Sequence, residues 1–196
     1  QDALQAGVGW FTNYYLHEEP YTDEWGVEWD VKHFETPLGP GSYTDIKKNP
    51  LRDDDEQALN YKAPNPHRRE LYAPLERLIN EYQHEYYIIG RVHCTIFESA
   101  WALRGMEVLM IDFLANPDIA NHLLDETSRY HLEVAKTMAS MGADMIWLGD
   151  DMGSQSSLLI SPGLWRKYFK ERMAGIIREA RNIKPDIKIA YHSDGC

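Results

Sequence analysis

Apolar residues recur along this chain with two periods, and each period predicts an element. Trp25, Val27, Trp29 and Val31 alternate with smaller or charged residues, which predicts a strand. YYIIGRVHC (Tyr86–Cys94), the short apolar run Met145–Leu148 and Ile187–His192 read as buried strands. Leu71, Leu75, Leu78 and Ile79 follow helical spacing within Arg68–Tyr82. Phe97–Leu103 reads as a short helix closed by Gly105, and Met106–Leu114 as a second. A long helix starts at Asn116-Pro117 and runs to about Met141, with Ile119, Leu123, Leu124, Leu132, Val134 and Met138 on its apolar face. Pro162 opens a further helix that reaches about Asn182. Residues 1–20 read as a short amphipathic helix, and 36–66, rich in Pro, Gly and Asp, as a loop or cap excursion.

No hairpin signal joins neighbouring strands in this reading. Strands that alternate with helices imply right-handed crossovers and a parallel sheet. Neither GxGxxG nor GxxxxGK[ST] occurs, so a nucleotide-binding doubly wound sheet is disfavoured. The expectation is an α/β fold of the (β/α)8 TIM-barrel type. A full barrel needs about 250 residues. The 196 residues supply four to five strands, so they read as one incomplete barrel domain, truncated at both ends. Open strand edges would then favour self-association.

Composition narrows the partners. With 31 acidic residues against 20 Lys+Arg, the formal charge is −11. That charge disfavours nucleic acid and a polybasic membrane anchor as partners. No apolar run approaches a membrane span. Two cysteines, Cys94 and Cys196, form no disulfide framework, and a reducing cytoplasm is the expected compartment.

A barrel places its chemistry at the C-terminal ends of its strands. Asp30 and His33 are expected after the first strand, with Asp23 and Glu24 at its entry. His93, Cys94, Glu98 and Trp101 follow the second, Asp150 and Asp151 the third, and His192 and Asp194 the fourth. Adjacent acids at 150 and 151 repel unless one is protonated, paired or bound to a cation, or serves as a helix cap or loop anchor. His192 and Asp194 offer imidazole and carboxylate to a metal, zinc among the candidates. Cys94, Trp25, Trp29 and Trp147 are expected in the core. His17, His67, His84, His122 and His131 are expected at the surface.

The stretch GADMIWLGDDMGSQSSLLISPGLWRKYF, with a later strand ending in HSDG, resembles the uroporphyrinogen decarboxylase superfamily. FESAWALRGMEVLMIDFLANPD and DEWGVEW carry the same resemblance, which spans about residues 20–196. It implies a (β/α)8 barrel that lacks its first segment and last strands here. Two chemistries are implied. One is cofactor-free decarboxylation of a tetrapyrrole, uroporphyrinogen. The other is methyl transfer between a corrinoid protein and a small acceptor, such as a thiol or a pterin.

The decarboxylase pattern places its substrate-holding Asp at Asp23. Its Tyr falls on Trp101 and its Ser falls near Asp151, and both are departures. The thiol-methyltransferase pattern, His-x-Cys and a later Cys around zinc, meets His192-Ser193-Asp194 with Asp in place of the first Cys. The inserted GSQSSLLISP loop looks more like the methyltransferase branch, and a cleft lined with Asp23, Asp150, Asp151 and Asp194 would repel the eight carboxylates of uroporphyrinogen, so that branch is favoured. Asp150, Asp151 and Asp194 are expected to be catalytic, Asp23, Glu98, Trp101, Gln155 and His192 to bind substrate, and His192 and Asp194 to hold a metal. A decarboxylase would need no cofactor, and a non-catalytic barrel fragment is the third reading.

Overall fold

The computed structural model describes residues 2–8 and 19–194. Its apolar strand segments meet in one parallel sheet, built from β1 (Ala3–Gly7), β5 (Tyr87–Arg91), β6 (Met145–Gly149) and β7 (Lys188–His192), in the order β1-β5-β6-β7. A second, antiparallel sheet holds β2 (Tyr21–Thr22), β3 (Glu28–Thr36) and β4 (Gly39–Lys48). The helices are α1 (Asp55–Asn60), α2 (Ala73–Tyr82), α3 (Phe97–Arg104), α4 (Met106–Ala115), α5 (Pro117–Met141), α6 (Pro162–Tyr168) and α7 (Lys170–Ile183). Consecutive parallel strands are joined through helices, as in a TIM barrel. Among the described residues the sheet does not close, and the fold is a partial barrel with β1 and β7 at its edges.

Local chemistry sets the helix ends. Ser161 accepts a hydrogen bond from the Leu164 amide at 3.2 Å, and Asp54 accepts from Gln57 at 2.8 Å, so both act as N-caps. Pro117 occupies the first turn of α5, and Gly142 ends it with φ 97°, a left-handed C-cap that a side chain would strain. Helix α5 buries Leu123, Leu124, Val134 and Met138 in the same apolar core as Ile88 of β5 and Ile146 of β6. Ile176 and Ala180 of α7 join that core. No described helix is long and apolar enough to cross a membrane.

The amino-terminal third departs from the sequence reading. Ala3–Gly7 is a strand, not part of a helix, because it pairs in parallel with β5 from Ala3↔Tyr87 to Gly7↔Arg91. The rest of that expected helix falls mainly outside the described residues. The first barrel strand is therefore β1 and not the Trp25–Val31 segment. Trp25 and Val27 are buried in a turn, and the strand begins at Glu28. Asp30 and His33 lie within β3, at the register of Asp45 and Ser42, rather than at a strand end.

A hairpin is also present. Residues 36–66 are not loop throughout: they contain β4 and α1, and β3 turns into β4 through Pro37-Leu38, with Thr36 paired to Gly39. This turn lacks the Asn-Gly or Asp-Gly signature. Two expected surface histidines are buried to different degrees. His131 is fully buried, and half-buried His122 meets the Tyr61 carbonyl at 2.9 Å.

Two buried polar groups control stability. Arg104 is 2% exposed and bonds Asp112 at 2.8 Å, Asp55 at 2.5 Å and the Leu51 carbonyl at 2.6 Å. It ties α1 and the segment before it to α3 and α4. Arg104→Met is expected to cost about 3–5 kcal/mol in urea unfolding, because Asp112 is left buried without its cation. An unchanged midpoint would contradict this role.

His131 meets Ser99 Oγ at 3.1 Å and stacks on Trp25, and burial pushes its pKa down to about 3. Below the ordinary histidine value, the unfolded chain takes up a proton that the folded chain refuses. Stability is therefore lost as pH falls from about 6.5 toward 3. Between pH 7 and pH 5, His131→Gln is expected to lose about 2 kcal/mol less stability than the wild type. Equal losses would contradict the buried neutral imidazole.

Candidate functional site

The carboxyl ends of β5, β6 and β7 are drawn together by backbone contacts that follow from sequence. Gly149 ends β6 opposite His192, and a Cβ there would lie 3.3 Å from the His93 carbonyl and 3.4 Å from His192. The missing side chain is what lets three strand ends approach. Thr95 donates its amide (3.0 Å) and its hydroxyl (2.6 Å) to the Gly149 carbonyl, and the Asp150 amide donates to the His192 carbonyl at 3.1 Å.

The adjacent acids at 150 and 151 resolve into different environments. Asp150 is fully buried, and its carboxylate accepts amides from Thr95 (3.2 Å), Ile96 (3.0 Å) and Glu98 (3.0 Å). Helix α3 has no side-chain cap of its own, so Asp150 caps it from across the fold. Burial pushes Asp150 up to about 6, and the amide hydrogen bonds pull it back. Asp150 thus takes the anchor role and does not line the cleft.

Asp151 points the other way. Its carboxylate lies 3.7 Å from His192 Nδ1 and accepts the Asp194 amide at 2.9 Å. Asp194 lies 3.4 Å from His192 Nε2. One ligand atom from each of Asp151, His192 and Asp194 falls within 4.8 Å of the others. The Asp151 amide donates to Glu98 Oε2 at 3.3 Å. Burial, with Asp150 and Asp151 beside it, pushes Glu98 up to about 8.

These groups face a cleft of about 460 Å³. Arg91 ends β5, His93 and Cys94 follow it, Glu98 and Trp101 stand on α3, and Asp151, His192 and Asp194 come from the other strand ends. Trp29, Thr44, Asp45 and Ile46 add a wall from the antiparallel sheet. Burial, with Arg91 nearby, lowers the pKa of His93. Burial, with Glu98 and Asp150 beside it, pushes the Cys94 thiol well up.

Of the expected site residues, Asp151, Asp194, His192, Glu98 and Trp101 come together at this cleft. Asp23 and Gln155 are not among its lining residues. Asp23 accepts the Trp25 and Val27 amides at 2.9 Å and the Trp29 indole at 2.8 Å, which shapes the turn before β3. Gln155 is exposed in the loop after β6. Cys94 is half-buried at the cleft rather than packed in the core, and Trp147 is half-buried with Arg91 over its ring. Cys196 lies outside the described residues. Arg91 and Asp45 were missed. A cation inside the apolar run YYIIGRVHC was the available signal for Arg91, whereas Asp45 reaches the cleft only through the hairpin.

Comparisons with known proteins agree with the fold. The profile of the family described as uroporphyrinogen decarboxylase (URO-D) matches residues 35–196. No curated protein sequence matches the chain. A solved structure of a methyltransferase from Methanosarcina mazei is similar, with a TM-score of 0.57 at 18% identity over 78% of this chain. The match spans 44% of that protein, under half its length, and it establishes a shared fold.

Asp150→Asn separates anchoring from chemistry. An amide retains one accepting oxygen and turns N–H groups toward the other backbone donors. The variant is expected to lose about 1–3 kcal/mol in denaturant unfolding. Hydrogen exchange at Ile96 and Glu98 should accelerate with it. Unchanged stability and unchanged exchange would contradict the capping role.

Proposed function

Because this chain belongs to the uroporphyrinogen decarboxylase family, we propose that its cleft serves methyl transfer between a corrinoid carried by a partner protein and a small acceptor. The observation that carries the reading is the convergence of Asp151, His192 and Asp194 at the strand ends, within 4.8 Å of one another. The fold shared with a methyltransferase supports it. So does the lining: the carboxylates of Asp45, Asp151 and Asp194 face the cleft. Uroporphyrinogen carries eight carboxylates, and such a wall repels a polyanion. Asp23, the residue that the decarboxylase pattern would use, is engaged in a turn.

The donor set bears on the metal. A thiolate-rich zinc site does not fit the described residues, because Cys94 is their one cysteine and it is not among the three groups that converge. One imidazole and two carboxylates fit a divalent cation of the zinc or manganese type, with coordination positions left for an acceptor. Bound there, the cation would act as a Lewis acid that favours the deprotonated, nucleophilic form of the acceptor. The protein's own residues do the rest. Glu98 holds the Asp151 backbone in place through its carboxyl oxygen. Trp101 and Trp29 give the cleft apolar walls that limit water around the acceptor. The cytoplasm is the proposed setting, where Cys94 remains reduced.

Elemental mass spectrometry of the purified protein tests the reading. About one divalent metal per chain is expected in the wild type, lost in His192→Ala and in Asp151→Asn without loss of fold. Metal-free wild-type protein that turns over uroporphyrinogen would contradict it and favour the decarboxylase.

A further inference from the structure

Among the described residues two histidines line the cleft, His93 and His192. His192 belongs to the group whose ligand atoms converge within 4.8 Å, and His93 does not. Residue 93 follows β5 and residue 192 ends β7, with Gly149 of β6 between them. A Cβ at Gly149 would lie 3.3 Å from the His93 carbonyl and 3.4 Å from His192 Cβ. The two imidazoles therefore reach one cleft from strand ends on either side of β6. His93 is half-buried, and its side chain makes no hydrogen bond or ion pair among the described residues. Buried side-chain atoms without a partner include Arg91 Nε and His131 Nδ1 but neither nitrogen of His93, so both of its ring nitrogens stay open to a ligand.

The other titratable groups of the cleft are engaged or ill-suited to take a proton. Asp151 and Asp194 flank His192 as candidate ligands. Glu98 accepts the Asp151 amide. Burial and neighbouring acids favour the thiol at Cys94, and Arg91 is a cation. Asp45, on the hairpin wall, is exposed to water. His93 differs from all of these. Burial, with Arg91 beside it, lowers its pKa, so the imidazole is neutral at pH 7 and carries a free lone pair. A neutral imidazole in a water-poor cleft, outside the ligand group and without a partner, is placed to accept a proton from a bound molecule.

We propose that His93 is the general base of the transfer: its free ring nitrogen takes the proton from the nucleophilic atom of the acceptor. The inference rests on the methyl-transfer reading and adds the fate of that proton. As the acceptor's X–H bond breaks, its electron pair stays on X and forms the new bond to the methyl carbon. The pair that held the methyl group remains with the partner's corrinoid. The proton rests on the imidazole until water carries it away. Arg91 beside it disfavours the imidazolium, so the proton is released rather than stored.

Methylcobalamin as donor, with 2-mercaptoethanol or the more acidic trifluoroethanethiol as acceptor, tests this on the full chain. His93→Gln is expected to lower kcat about 100-fold with 2-mercaptoethanol and about tenfold or less with trifluoroethanethiol, with KM unchanged. A more acidic acceptor needs the base less, whereas a merely structural loss would strike both thiols alike. The wild-type rate should rise with pH to a plateau, with a midpoint below about 6.5, and the variant should lose that limb. Independently of turnover, carbon-13 NMR of the histidine rings should show His93 titrating below about 6.5. That measurement is made on the wild type, so it stands even where a variant does not fold.

Equal losses with the two thiols, or a His93 midpoint above the ordinary histidine value, would overturn the assignment and leave the methyl-transfer reading in place. A wild type that methylates neither thiol would remove the reading and the assignment together.

Discussion

The buried carboxylate of Asp150 is the constraint on which the site depends. It stands at the end of β6 and gathers three backbone amides at the entrance to α3, a helix with no cap of its own. Those N–H groups and the positive end of the helix compensate a charge that burial disfavours. The effect is positional. Fixing α3 places Glu98 and Trp101 over the cleft, and fixing residue 150 turns residue 151 outward toward His192 and Asp194. Two adjacent acids avoid mutual repulsion because one is bound to the backbone and the other to a cluster with an imidazole.

The cleft combines two sheets with different duties. The parallel sheet supplies the titratable groups at its strand ends, held close by Gly149. The antiparallel hairpin supplies Trp29, Thr44, Asp45 and Ile46 as a wall. The carboxylates of Asp45, Asp151 and Asp194 make the cavity hostile to polyanions and receptive to cations, with Arg91, over the Trp147 ring, as a local exception.

Much of this was legible in the sequence where long periodic segments carry the signal. The helix expected from Asn116-Pro117 to Met141 spans Pro117–Met141, because a proline start, an apolar stripe and a glycine stop all agree. The strand ends after Cys94, Leu148 and His192 likewise led to Glu98, Asp151, His192 and Asp194. The amino-terminal third was not legible, since Ala3–Gly7 is a strand only by pairing with a segment some eighty residues away. The hairpin escaped because Pro37-Leu38 carries no recognised turn signal. Asp150 and Asp151 look alike as letters, and only burial and the amides around residue 150 separate an anchor from a ligand candidate. His131 looked like a surface residue because its partners, Ser99 and Trp25, come from distant elements.

The metal centre is tested most directly by a crystal structure of the purified protein with anomalous data collected at metal absorption edges. A peak is expected at the strand ends, with carboxylate oxygens of Asp151 and Asp194 and one nitrogen of His192 at roughly 2.0–2.2 Å from it. A structure without such a peak would contradict it, above all if the His192 imidazole simply bridged the two carboxylates by hydrogen bonds through its two nitrogens.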